Sequence, residues 1–402
     1  MKFLFDDESF SYETLRAASF ANYGGAELGE VIVTARAIPE GDEVAWHREW
    51  KATAQRVESI ARHSLAAGHG VSAREAFLRA SNYYRTAEFY RRDDPFNDPE
   101  VFELSRRSRD TFLGAMALYG FAFESVSISY EGTTLPGYLY LVDDSGQPRP
   151  TVIYSSGYDS TLEESYFAIA AAALARGYNV LAFDGPGQGA ALREQHLVFR
   201  PDWEAVITPV VDFALTRSEV DPGRISVFGY SMGGYLVARA GAFDTRIAAL
   251  ILDDGIYDFH AAMAHALPPF VNDWIDSGDD ASAIPVLEML MARDTQVRWA
   301  MRNGLWVMGL DSLADLPRVF RQYTLAGVAD RITAPVLVLD ADNDQFLNGQ
   351  PKQAAEAMVN ADVTLVTLPE SEGAGEHCHM GALARAHQTI FDWLDTAVPQ
   401  SN

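Results

Sequence analysis

The run Ile225-Ser226-Val227-Phe228-Gly229-Tyr230-Ser231-Met232-Gly233-Gly234 sets a serine between glycines, after an apolar stretch of strand character and before an amphipathic helical one. A chain turning that sharply from strand to helix forces the residue at the turn into a strained conformation. Glycines on either side remove the Cβ atoms that would collide. The hydroxyl of Ser231 would then project above the sheet, near the positive end of a helix, as a nucleophile for acyl transfer requires. Such a serine needs a base to take its proton and an acid to hold that base in the right tautomer.

In this arrangement the partners follow in the order serine, acid, histidine. Of nine histidines, His377, His379 and His387 lie beyond the strand that should present the acid. His387 falls on the final helix, a turn before Phe391, and reads as a surface or packing residue. His377 and His379 share the loop Gly373-Ala374-Gly375-Glu376-His377-Cys378-His379-Met380. His377 is preferred as base, because Gly375 frees the backbone beside it and His379 lies nearer the next helix. The acid should follow a strand at 335–339, where Asp340, Asp342 and Asp344 compete. Asp340 reads as the strand end. Asp344 lies in the loop proper and is preferred, with Asp342 as the alternative. Two backbone N–H groups must face the developing oxyanion. Met232, after the nucleophile, should supply one, and Tyr158, after Ser155-Ser156-Gly157, the other.

Positioning these groups calls for a sheet. Strands predicted at 151–154, 179–183, 225–229, 247–252, 335–339 and 363–368 alternate with helices at about 163–176, 201–217, 232–242 and 351–359, and a closing helix to about 398. That alternation predicts a largely parallel sheet with helices on both faces. Residues 126–130 and 137–142 alternate in polarity and predict a hairpin ahead of it. Before the hairpin the chain reads as helical. Trp46, Trp50, Ala54, Val57 and Ile60 recur at helical spacing, as do Phe77, Ala80, Tyr84 and Ala87, with Ser72 and Glu75 as a capping box. From about 257 to 327 the chain is helical and rich in large apolar residues, among them Trp274, Trp299, Trp306 and Met308. The expected division is a helical region over 1–120, a first part of the core over 121–256, a helical cap over 257–327 and a second part of the core over 328–402.

Composition narrows the functional classes. The chain has 402 residues, 48% hydrophobic and 22% charged, enough for a sizeable core. A net charge of -25 with no run of Lys and Arg argues against nucleic acid or an anionic membrane as partner. One cysteine, Cys378, allows neither an intrachain disulfide nor a multi-thiolate zinc site, and no metal is expected. Gly185-Pro186-Gly187-Gln188-Gly189 lacks the Gly-Lys-Ser/Thr ending of a phosphate loop, so no nucleotide or flavin cofactor is expected either. The first residues turn acidic before any leader-like stretch, and no segment approaches about 20 apolar residues. A cytoplasmic location and a symmetric homodimer are the resulting expectations.

Four motifs together carry a family resemblance: 157–164 (Gly-Tyr-Asp-Ser-Thr-Leu-Glu-Glu), 183–189 (Phe-Asp-Gly-Pro-Gly-Gln-Gly), the serine turn, and Gly375-Glu376-His377-Cys378. The chain resembles the α/β-hydrolases that include 2,6-dihydroxypseudooxynicotine hydrolase, the fungal polyketide-shortening hydrolases and the FrsA-like esterases. The resemblance implies an α/β-hydrolase fold behind an N-terminal helical region, and a triad of Ser231, Asp344 and His377. It also implies cleavage of either a C–C bond next to a ketone or an ester, in a mid-sized, partly aromatic or polyketide-like molecule. Many relatives carry His-Gly where this chain has Ser156-Gly157. The stretch 253–260 matches no member closely, so Asp254, Tyr257, Asp258 and His260 are candidates to orient a substrate on position alone. A cyclase or acyl-transfer enzyme with the same triad is the alternative reading. A non-catalytic binding protein is disfavoured by the intact motifs.

Overall fold

The computed structural model describes residues 1–264 and 267–398. Eight strands form one sheet in the order β1-β2-β4-β3-β5-β6-β7-β8. They are β1 (Ala122–Tyr130), β2 (Thr133–Leu141), β3 (Arg149–Ser155), β4 (Asn179–Phe183), β5 (Val220–Tyr230), β6 (Ala249–Asp253), β7 (Val336–Ala341) and β8 (Val363–Leu368). β1 and β2 form the hairpin, β2 runs antiparallel to β4, and every other pairing is parallel. This is the α/β-hydrolase fold. β4 and β6 are buried along their whole length, as a parallel sheet covered by helices on both faces requires. Because β3, β5, β6, β7 and β8 are parallel, their carboxyl ends open at one edge, where ligands bind in open α/β sheets.

The N-terminal helices, Glu8–Ser19, Leu28–Arg36, Glu43–Ala66, Gly70–Glu88 and Pro99–Met116, pack around Phe10, Trp46, Trp50, Tyr83 and Tyr84, all fully buried. Two details differ from expectation. Ala61 completes the apolar stripe of the long helix, and Ile60 faces solvent, because Ala61 rather than Ile60 falls four residues after Val57. The next helix starts at Gly70, so Ser72 lies inside its first turn and forms no capping box.

Buried charge ties these helices to the sheet. Arg16 contacts Glu164 at 2.9 Å and Asp159 at 3.1 Å, and Arg85 contacts Glu13 at 2.9 Å and Glu164 at 3.2 Å. Glu88 joins Arg92 at 2.6 Å to Arg193 at 2.7 Å. Asp159 and Glu164 belong to the segment following β3, so the first helix is anchored directly beside the serine turn.

After β6 come five further helices: Phe259–Ala264, Pro269–Ser277, Asp280–Arg293, Thr295–Met308 and Asp315–Phe320. The two ends of this excursion meet. Asp258 faces Thr324 in an isolated bridge, Phe259 N–H donates to Tyr323 O at 3.0 Å, and Leu325 N–H donates to Tyr257 O at 2.8 Å. Trp299 stacks on Phe89 with ring centroids 4.3 Å apart, and its Nε1–H donates to Phe89 O at 2.8 Å, joining these helices to the N-terminal ones. Among the described residues no helix is long and apolar enough to cross a membrane.

Arg16 is nearly inaccessible and faces three carboxylates, so Arg16→Met would remove the ion pair of buried Asp159 and leave Glu13 and Glu164 to Arg85. The expected cost is about 3–5 kcal/mol of unfolding free energy. Urea denaturation of the variant measures it, and a loss below about 1 kcal/mol would contradict the anchoring role.

Candidate active site

Ser231 follows β5 directly with φ at 59°, the left-handed region that a side chain rarely adopts. Close approach explains the glycines around it. A Cβ on Gly233 would sit 2.6 Å from Ser155 O, and one on Gly157 2.6 Å from Tyr230 O and 3.0 Å from Met232 N. The loops after β3 and β5 thus meet backbone to backbone. The N–H groups of Tyr158 and Met232 stand on these two loops, and neither donates to another backbone carbonyl among the described residues.

Ser231 Oγ lies 2.8 Å from His377 Nε2, and His377 Nδ1 lies 2.7 Å from Asp344 Oδ2. The other oxygen of Asp344 accepts from Phe346 N–H at 2.7 Å and Leu347 N–H at 3.0 Å. Burial alone would raise the Asp344 pKa. The His377 charge and hydrogen bond, with the Phe346 N–H, outweigh it and hold the carboxyl at about 2. Burial would likewise lower the His377 pKa, but the Asp344 charge overcomes it and raises the imidazole well above its usual value. The ring is framed by Phe346 in edge contact at 5.0 Å, and Tyr12 O–H donates to the His377 carbonyl at 3.2 Å.

The competing residues go elsewhere. Asp340 lies within β7 and accepts from Thr367 Oγ1 at 2.8 Å, and Asp342 accepts from Glu370 N–H at 2.7 Å. His379 is fully buried, with Nδ1 2.8 Å from Ala374 O. Gly375 works differently from expectation. Its φ is not positive, but a Cβ there would collide with the Asp342 carboxylate and Glu370, while the positive φ values fall on Cys378 and His379.

Beside Ser231 and His377 opens a cavity of about 780 Å³, its mouth to solvent included. Ser9, Tyr12, Glu13 and Arg16 line it from one face of the first helix, at helical spacing. Phe89, Phe259, Met263, Trp299, Phe346 and Leu347 supply most of its apolar wall. Tyr158 bridges the sheet and the later helices, since its O–H donates to Ala300 O at 3.1 Å and its carbonyl accepts from Asn303 Nδ2 at 3.1 Å.

The alpha/beta hydrolase family description matches residues 145–390. Hydrolase LUC6 of Fusarium sp. is 36% identical over 98% of this chain and 97% of its own length. The chain belongs to the α/β-hydrolase family. It is also 36% identical to 20-hydroxy-prefusarin hydrolase FUS2 of Gibberella moniliformis, over 98% of this chain and 97% of that protein. The crystal structure of 2,6-dihydroxy-pseudo-oxynicotine hydrolase superposes with a TM-score of 0.75 at 22% identity, covering 95% of this chain and 96% of that one. That similarity shows a shared fold, N-terminal helices included.

In this α/β-hydrolase the four residues singled out after β6 do not line the cavity beside Ser231. Tyr257 and Asp258 take their N–H bonds to Gln350 Oε1, and Asp258 Oδ1 caps the following helix through Ala261 N–H at 2.8 Å. His260 faces a second, apolar cavity that shares Tyr158, Met263 and Ala300 with the first. Asp254 is fully buried behind His377, with Oδ2 3.0 Å from Nδ1, because the chain turns inward under the serine turn on leaving β6. The N-terminal helices were expected to help close this pocket, but the residues of the first helix that line it were not singled out. The signal was present, since Ser9, Tyr12, Glu13 and Arg16 share one face.

Two clusters among the described residues bring three possible ligand atoms within 4.8 Å, Asp254-His377-Cys378 and Asp253-Asp254-His379. In the first, both ring nitrogens of His377 are already engaged. In the second, His379 Nε2 faces Asp253 Oδ1 at 3.3 Å.

His387 is a buried packing residue. Nε2–H donates to Ala168 O at 2.6 Å, and Nδ1 lies 2.6 Å from the Tyr23 hydroxyl oxygen. Burial pushes its pKa down to about 4, below the unfolded value near 6.5. A depressed folded pKa means the stabilisation is complete above pH 6.5 and is lost as pH falls towards 4. The size is about 3 kcal/mol. Urea titrations at pH 7 and pH 4.5 should show this dependence reduced in His387→Gln, and an unchanged dependence would contradict the assignment.

Proposed function

We propose that this enzyme is a serine hydrolase in which Ser231 is the nucleophile, His377 the general base and acid, and Asp344 the group that orients and charges His377. The unbroken chain of contacts Ser231 Oγ–His377–Asp344, at 2.8 and 2.7 Å, carries the reading. The reaction is cleavage of a C–C bond next to a ketone, or of an ester, in a mid-sized, partly aromatic or polyketide-like molecule. His377 Nε2 takes the proton of Ser231 as Oγ attacks the carbonyl carbon. The oxyanion is received by the N–H groups of Tyr158 and Met232. Collapse breaks the bond to the leaving group, and the imidazolium returns its proton to the departing carbon or oxygen. Water, activated by the same imidazole, then releases the acyl group from Ser231.

A leaving carbon needs a ring or second carbonyl to hold its electron pair, whereas an ester oxygen does not. Weak ester cleavage therefore accompanies either specificity. The aromatic wall of Phe89, Phe259 and Trp299 suits flat, conjugated substrates, and Glu13, Arg16 and Asp159 offer polar contacts at its other side. The helices over 257–327 and the first N-terminal helix act together as the cap that excludes water. The name of one relative, 20-hydroxy-prefusarin hydrolase, supports this reading.

Ser231→Ala and His377→Gln should each lower kcat by about three orders of magnitude or more while the protein stays folded. The assay is a panel of aryl ketones, β-diketones, lactones and simple esters. Retention of a tenth of the activity by Ser231→Ala would remove this serine from the reaction.

A further inference from the structure

We propose that Asp254 is a second acid for His377, sharing Nδ1 with Asp344 and able to replace it. This deepens the reading of Ser231 and His377 as the reacting pair and rests on it. Asp254 leaves the carboxyl end of β6 and Asp344 that of β7, neighbouring parallel strands, so the two carboxylates reach one imidazole from adjacent loops. Asp344 Oδ2 stands 2.7 Å and Asp254 Oδ2 3.0 Å from Nδ1. Asp254 Oδ2 also accepts the Cys378 N–H at 3.1 Å, which locks it to the loop that carries His377. Its side chain is fully buried and lines no part of the cavity beside Ser231, so it acts on His377 and not on a substrate.

Two carboxylates this close in a buried site do not both ionise readily. Asp344 accepts two backbone N–H groups at its free oxygen, and Asp254 accepts one at the oxygen it turns to His377. The proton of the pair therefore rests on Asp254. The charged or titratable groups facing Asp254 are Asp344, His377, Asp253, His379 and Cys378. Burial, followed by the Asp344 charge, pushes Asp254 up to about 7, whereas Asp344 is held low. When Asp344 loses its charge, the like-charge neighbour disappears. Asp254 then releases its proton to solvent, and its carboxylate alone holds Nδ1–H and stabilises the imidazolium. Asp254 is thus a positioning residue in reserve, and an Asn in its place keeps the volume and the Cys378 hydrogen bond but not the charge.

The experiment is a cycle of Asp344→Asn, Asp254→Asn and the double variant, with Ser231→Ala alongside, each checked for folding by circular dichroism. An amide in place of a sole triad acid costs about 10⁴-fold. Here Asp344→Asn is expected to lose about ten- to a hundredfold in kcat, Asp254→Asn about three- to tenfold, and the double variant about 10⁴-fold. Proton NMR of Asp344→Asn should still show a low-field Nδ1–H resonance from His377, a signature that a merely structural carboxylate would not preserve. If the double variant does not fold, the Asp344→Asn protein decides alone. A 10⁴-fold loss together with loss of that resonance would overturn the second acid while leaving the serine mechanism intact. Activity in Ser231→Ala would instead overturn the mechanism beneath it.

Discussion

An imidazole can take a proton from a serine only while its far nitrogen carries hydrogen and its near nitrogen presents a lone pair. At this site the contact between His377 Nδ1 and the Asp344 carboxylate, 2.7 Å long and almost wholly buried, imposes that tautomer. The rest of the architecture serves the contact. Parallel β5, β6, β7 and β8 deliver Ser231, Asp254, Asp344 and His377 to one edge, and Phe346 and Leu347 N–H groups fix Asp344 from behind. A low dielectric makes such contacts strong, and makes an unbalanced charge costly. That is why every carboxylate near His377 is paired, hydrogen-bonded or shifted towards its neutral form.

The same balance extends outward into the N-terminal helices. Arg16 and Arg85 compensate Glu13, Asp159 and Glu164 in a buried cluster that reaches the loop carrying Tyr158. The first helix thereby presents Tyr12 to the backbone of His377 and a polar face to the cavity. Trp299, stacked on Phe89, closes the opposite side. A cavity walled by two separate helical groups ties its shape to their mutual packing, so substitutions at that seam are expected to alter substrate preference before they alter the chemistry at Ser231.

Much of this was legible from residue patterns. All eight strands stand close to their expected positions: apolar runs mark the buried ones, and alternating polarity marks the hairpin of β1 and β2. The serine turn was legible because its constraint is local: Gly157, Gly229 and Gly233 answer to atoms a few residues or one strand away. The acid was harder, since Asp340, Asp342 and Asp344 differ only in the direction each side chain takes after the strand ends. The contact of Asp254 with His377 was not legible for the same reason, as nothing in Asp253-Asp254-Gly255 says that the loop folds inward beneath the imidazole. Ile60 and Ala61 show the limit on a helix, where a stripe one residue wide is easily assigned one position off. The cavity face of the first helix repeats at helical spacing, but its turn towards the site depends on contacts nearly 150 residues apart, such as Arg16 with Glu164.

An activated Ser231 would react covalently with an organophosphorus electrophile. A fluorophosphonate phosphonylates a serine, with loss of fluoride, only where a base and an oxyanion site already act on it. Incubation of the native enzyme with such a reagent, followed by peptide mass spectrometry, should place one stoichiometric adduct on Ser231, and labelling should fall away in His377→Gln. No adduct on the folded native protein, or an adduct on another residue with Ser231 unmodified, would contradict the account.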